Sequence, residues 1–185
     1  MAFAKIQGAI VYFMKAVGLF GGSFDPIHFG HLFLAIFLLE KYQLEKILFC
    51  PAACSPFKGN SLPVASGEHR LNMLKLALDH PQMEIIEIEL HRPAPSYTID
   101  TVRALDLPNL RLLLSDEAEK TFKGWKEAEE LQKLAPLLVG PRAWGISSTE
   151  IRQRLHHQLY CGHLVPAKAL DYIQAFHLYS LPAVR

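Results

Sequence analysis

A parallel α/β sheet of the Rossmann-like type, covered by helices on both faces, is the fold this sequence predicts, and three observations predict it. Strand-like and helix-like segments alternate along the chain. The first strand-like segment is apolar throughout, as a sheet buried on both faces requires. A Gly-Gly pair follows it directly and leads into a helix, which puts a ligand crevice at the carboxyl end of the sheet. The chain has 185 residues. At roughly 100–200 residues per domain, one domain is expected, with a small helical part at its C-terminal end.

Residues 16–20 read as the first strand, and Gly21 and Gly22 punctuate it. Residues 32–41 are apolar on most sides and predict a helix buried deep in the fold. Residues 46–50 form a second strand, 68–78 a helix with Leu71, Leu74, Lys75 and Leu78 at helical spacing, and 83–88 a third strand. Residues 98–105 look helical, 110–114 strand-like, 121–134 a charged amphipathic helix, and 137–139 a short strand. Residues 149–159 and 168–176 are closing helices. Residues 1–13 read as an N-terminal extension ahead of the core, and 14–185 as the domain itself.

Half of the residues are hydrophobic and 20% are charged, so disorder is excluded as the dominant state. The net charge of +1 leaves no electrostatic footprint for wrapping nucleic acid or an anionic membrane. The longest uncharged apolar runs, such as 32–39, fall far below the roughly 18 residues of a bilayer span. Lys5 and the apolar stretch 8–13 lack a clear small-residue cleavage site, and a cytoplasmic protein is expected. Cys50, Cys54 and Cys161 make an odd count, so free thiols are expected. The C-x3-C pair has only His69 and Cys161 as imaginable partners, and without a second close ligand pair it does not predict zinc.

The stretch 18–31, GLFGGSFDPIHFGH, runs from the first strand into a helix. Gly21 and Gly22 let backbone N–H groups approach a phosphate, and Ser23 adds a hydroxyl donor. His28 and His31 are three residues apart, so a helix starting near them puts both imidazoles on one face at its positive end. A plain tight turn with surface or capping histidines is the blander alternative, and a di-histidine metal site lacks H-E-x-x-H spacing and an obvious third ligand. The string resembles the H-x-G-H signature of the nucleotidyltransferase superfamily of adenylyl- and cytidylyltransferases. The resemblance implies that both histidines contact the triphosphate of the nucleotide donor.

Near the C-terminus stands GISSTEIR, residues 145–152, where Ser147 and Glu150 have capping-box spacing and mark a helix start. A helix beginning at Ser148 brings Ser148, Thr149 and Arg152 to one face, where a hydroxyl, a dipole and a guanidinium can meet one phosphate. An ordinary capped surface helix is the alternative. The segment is similar to the I-S-S-T-x-[IV]-R element of the same superfamily. By that resemblance Ser147, Ser148 and Arg152 hold the β- and γ-phosphates of ATP beside Thr149, with Ile146 near the adenine.

Three further segments resemble nicotinate-nucleotide adenylyltransferases: Ser96-Tyr97-Thr98 with Thr101, the proline-rich run 51–58 ending in Lys58, and Trp125-Lys126 following an acidic pair. Bottom-up, Trp125 offers a flat face for a pyridine ring, and backbone N–H groups near Thr98 and after Trp125 can donate to a carboxylate. A core tryptophan and a helix cap at Tyr97-Thr98 are the alternatives. The resemblance places Lys58, Tyr97, Thr98, Trp125 and Lys126 on the mononucleotide. It also places Asp116 on the ATP ribose, with Leu114 standing where the family has glycine. Phe57 replaces the family's histidine, and the connection from 137–139 to Ile146 is shorter than in the family.

The implied reaction is transfer of AMP from ATP to nicotinate mononucleotide, giving the deamido dinucleotide and pyrophosphate. His28, His31 and Arg152 are its expected catalytic residues. Mg2+ is expected on the ATP phosphates, with no protein metal site, in keeping with its reluctance to shed water. ATP and a pyridine mononucleotide are the expected partners, without nucleic acid or membrane, for a monomer or a homo-oligomer. The rival readings are adenylyl transfer to nicotinamide mononucleotide or phosphopantetheine, and a non-catalytic nucleotide-binding module.

Overall fold

The computed structural model describes residues 2–6, 9–56, 62–142 and 145–180, so Lys58 lies outside the described residues. Strands β1 (Ala2–Ile6) and β2 (Ala9–Phe13) pair with each other, antiparallel, in a sheet of their own. The main sheet has five parallel strands: β3 (Val17–Gly22), β4 (Lys46–Pro51), β5 (Met83–Ile85), β6 (Leu110–Ser115) and β7 (Leu137–Gly140). Their spatial order is β5-β4-β3-β6-β7. The chain therefore runs outward from β3 through β4 to β5 and then returns to the other side of β3. That reversal makes the β3/β6 junction a topological switch point, where crevices open beyond the carboxyl ends of strands.

Strand periodicity divides the core in two. Phe20, Ile47, Phe49 and Leu113 face helices α1 (Phe29–Lys41), α2 (Gly67–Ala77), α6 (Ser148–His156) and α7 (Ala167–Ala175). Leu19, Leu48, Cys50, Leu112 and Leu114 face α3 (Thr98–Leu105) and α5 (Ala128–Leu134). The predicted helix-covered parallel sheet is thus present. Helix α1 lies close against β7: a Cβ on Gly140 would stand 2.6 Å from Leu34 Cδ1, so a side chain there would have to push Leu34 aside.

Two elements differ from expectation. The strand predicted over 83–88 stops at Ile85; the Ile86 N–H still reaches the Phe49 carbonyl, and the chain then turns at Glu87–Leu90. The turn carries Glu89 inward, 4% exposed, where it accepts a 2.6 Å hydrogen bond from Thr101 Oγ1 of α3. The helix predicted over 121–134 is broken into a 3-10 turn (Phe122–Gly124) and α5, and a short helix α4 (Asp116–Glu119) precedes it. Gly124 is a poor helix former, Trp125 is extended, and Glu127 is left-handed at φ 53° with its carboxylate paired to Arg103 of α3 at 2.6 Å. Tertiary contacts override a run of good helix formers.

Candidate active site

A cavity of about 570 Å³ opens at the switch point. Its walls come from Gly21–Ser23 after β3, His28 and His31 at the start of α1, Ser96–Thr98, Trp125 and Lys126, and Ile146–Thr149. Most of the residues singled out in the sequence therefore share one cavity, although they span well over half of the chain.

Among the described residues, none but its chain neighbours comes within 4 Å of where a Gly21 Cβ would be, and Gly21 lines the cavity, so a side chain there would project into space a ligand can use. His28 takes the N-cap position of α1 with extended backbone, φ −151° and ψ 169°, but its imidazole makes no capping hydrogen bond. The ring is instead buried, 5% exposed, and stacks on His31 with centroids 3.7 Å apart. His28 Nδ1 is buried with no hydrogen-bond partner among the described residues. The edges of Phe24 and Phe20 meet the His31 ring at 5.0 and 6.1 Å and fix its plane. The capping and surface readings of the two histidines do not match this geometry.

Burial first, and the nearby Arg142 guanidinium second, push His28 down to about 4. The unfolded imidazole titrates near 6.5, so between these values the unfolded chain binds the proton that the folded protein resists. Stability is present above pH 6.5 and is lost as pH falls toward 4. Wild type is expected to lose about 2 kcal/mol more than His28→Gln between pH 7 and pH 5, read by urea unfolding at both values. Equal losses in the two proteins would show that burial does not oppose the His28 proton.

The second motif packs on the first. Ser147 caps α6 by accepting from the Glu150 N–H at 3.1 Å, as the capping-box spacing predicts. Ser148 Oγ donates to the Pro26 carbonyl at 2.9 Å, and Arg152 Nη1 donates to the Asp25 carbonyl at 2.6 Å. Arg152 Nη2 donates to Thr149 Oγ1 at 3.2 Å. Ser148 and Arg152 thus hold the loop between β3 and α1, and Arg152 stands beside the cavity wall rather than in it. Both side chains thereby meet at that loop.

At the other end, Tyr97 is the N-cap of α3 and Thr98 its first residue. Ser96 ties this loop to the one after β4: its Oγ accepts from the Ala53 N–H at 3.0 Å, and its N–H donates to the Cys54 carbonyl at 2.9 Å. Trp125 lies in an extended segment, half-buried, with its ring 5.5 Å from Phe122. Lys126 sits 4.6 Å over the Tyr97 ring and pairs with Asp100 at 3.2 Å.

Asp116 is exposed at the start of α4 and does not line the cavity; it accepts from the Arg142 N–H at 3.2 Å. Arg142 and Glu117, both unremarked in the sequence, pair with each other on the cavity wall. A lone arginine in the short connection after β7 was their available signal. Among the described residues, no cluster of three or more His, Cys, Asp or Glu side chains is arranged to hold a metal ion. Nor is any described helix long and apolar enough to cross a membrane.

Comparison with known proteins matches residues 19–154 to the cytidylyltransferase-like family. A probable nicotinate-nucleotide adenylyltransferase of Carboxydothermus hydrogenoformans is 36% identical, over 88% of this chain and 97% of that protein. One of Thermus thermophilus, of the same name, is 37% identical over 88% of this chain and 98% of its own length. The nicotinic acid mononucleotide adenylyltransferase of Plasmodium falciparum, solved in complex with NaAD, shares the fold with a TM-score of 0.68. It is 20% identical, with 90% of this chain and 98% of that chain covered.

Proposed function

The chain belongs to the cytidylyltransferase-like family and, within it, to the nicotinate-nucleotide adenylyltransferases, and on that premise we propose that it transfers AMP from ATP to nicotinate mononucleotide. One observation carries the reading at this site: the stacked His28–His31 pair and the α6 N-terminus border one cavity that ends at Tyr97, Thr98 and Trp125.

The 5′-phosphate oxygen of the mononucleotide attacks the α-phosphorus of ATP. The new P–O bond forms as the bond to the β-phosphate oxygen breaks, and pyrophosphate leaves with the electron pair. The nucleophile is already anionic at neutral pH, so no general base is needed. Catalysis reduces to in-line positioning and stabilisation of charge. His31 acts on the α-phosphate. His28, neutral at pH 7, offers an N–H to the phosphates without bringing a buried charge. The glycine turn with Ser23, and the α6 start with Ser147, Ser148 and Thr149, receive the polyphosphate, and Arg152 supports them from beside the cavity wall through the Asp25 carbonyl. Ile146 flanks the adenine, and the resemblance assigns Asp116, which stands outside the cavity wall, to the ribose.

Trp125 stacks on the pyridine, and the N–H groups at Tyr97-Thr98 and after Trp125 meet its carboxylate. Lys126 adds positive charge beside them, and the resemblance assigns Lys58 to the mononucleotide as well. Mg2+ enters on the ATP phosphates, whose charge it offsets, and the reaction runs in the cytoplasm.

Pyrophosphate release from ATP and magnesium, measured in parallel with nicotinate and nicotinamide mononucleotide, tests the proposal. At least a tenfold preference in kcat/KM for the acid is expected, about the worth of one charge-assisted hydrogen bond. Equal use would make the pocket indifferent to the carboxylate, and release with neither would overturn the function.

A further inference from the structure

Asp25 is a carboxylate with no part in the chemistry above, yet it is only 3% exposed and three segments converge on it. Its Oδ2 accepts from the Val64 N–H at 2.8 Å, and its Oδ1 from the Ala65 N–H at 3.1 Å. Oδ1 also accepts from the Tyr179 hydroxyl at 2.7 Å, across 154 positions of sequence. Arg152 Nη1 lies 3.7 Å from Oδ2 and donates to the Asp25 carbonyl at 2.6 Å. Tyr179 is delivered by a turn that follows α7, where the Leu178 N–H bonds back to the Ile173 carbonyl. Burial, and then the Asp25 charge, raise the Tyr179 phenol above its usual range, so it remains a donor at neutral pH.

A buried carboxylate needs several donors, and backbone N–H groups would suffice for that alone. This one also holds the arginine of the second motif. We propose that Tyr179 and Asp25 are positioning residues for adenylyl transfer: the C-terminal turn, through the Tyr179 hydroxyl, fixes Asp25, which in turn aims the Arg152 guanidinium along the loop that faces the phosphates. The proposal rests on the adenylyl-transfer function and deepens it. It makes the C-terminal turn part of the ATP side of the site, with no contact to the mononucleotide.

Tyr179→Phe keeps the ring and removes one donor. Kinetics in both substrates and calorimetric ATP binding, measured in the wild-type and Arg152→Lys backgrounds, test it. In the wild-type background, kcat/KM for ATP and ATP affinity should each fall about tenfold, the size one lost charge-assisted hydrogen bond allows. The KM for the mononucleotide should stay unchanged, and in the Arg152→Lys background the same change should cost less than twofold. Asp25→Asn should reproduce this pattern should Tyr179→Phe fold poorly. Equal losses in both backgrounds, equal KM increases for both substrates, or no loss at all would each overturn the proposal. If wild type binds ATP but releases no pyrophosphate with the mononucleotide, the assigned function falls, while the ATP-affinity comparison still decides the role of Tyr179.

Discussion

His31→Ala is expected to lower the rate of adenylyl transfer by about 10²–10³-fold, the loss typical of removing one preorganised donor from a developing oxyanion. The imidazole is held on one side by His28, with centroids 3.7 Å apart, and on the other by the ring edges of Phe24 and Phe20. Such packing fixes its direction before substrate arrives, so little reorganisation is needed as charge grows on the α-phosphate. Because Trp125 and Thr98 stand on other elements of the cavity wall, affinity for the mononucleotide should be retained, and calorimetry checks that separately. The side chain is only partly buried, so the unfolding midpoint should move little. A variant that turns over at a near-wild-type rate would remove His31 from the chemistry.

Arg70→Ala is expected to cost about 3–5 kcal/mol of stability, which for a chain of this size lowers the midpoint by about 10 °C. The Arg70 side chain begins on α2, is 1% exposed, and bonds to three segments. Nε donates to the Ala65 carbonyl at 3.2 Å, and Nη1 to the carbonyls of Ser23 at 2.7 Å and Ala52 at 2.8 Å. Truncation strands these buried acceptors and removes a cation that interacts with the Asp25 charge. Arg70→Lys should recover only part of the loss, since an ammonium cannot reproduce the planar fork. Ser23 ends the glycine turn, so both variants should also raise the KM for ATP. Denaturant unfolding checks the first claim; a loss below 1 kcal/mol would show that water replaces the guanidinium at these carbonyls.

What the sequence determined by itself was whatever short-range physics controls. The strand-like runs 46–50 and 110–114 became β4 and β6, whose successive residues face two different cores. The Ser147–Glu150 spacing became a real cap on α6, and the strand–glycine–helix order placed the cavity at the carboxyl edge of the sheet. The resemblance carried by GGSFDPIHFGH and ISSTEIR reached the family.

The remainder was decided by contacts between residues far apart in the chain. The run 121–134 has the charge pattern of one helix, yet the Arg103–Glu127 pair and the Trp125–Phe122 packing divide it. Arg70 reads as an ordinary charged position on α2, and only three carbonyls from other segments reveal why it is buried. Ser148 and Arg152 suit a phosphate by spacing, while their partners Pro26 and Asp25 lie more than 120 positions away. Periodicity reports which face of an element is apolar; it carries no information on which distant carbonyl or carboxylate a polar side chain will meet. That choice belongs to the packed sheet, where a buried polar group must find a partner or destabilise the fold.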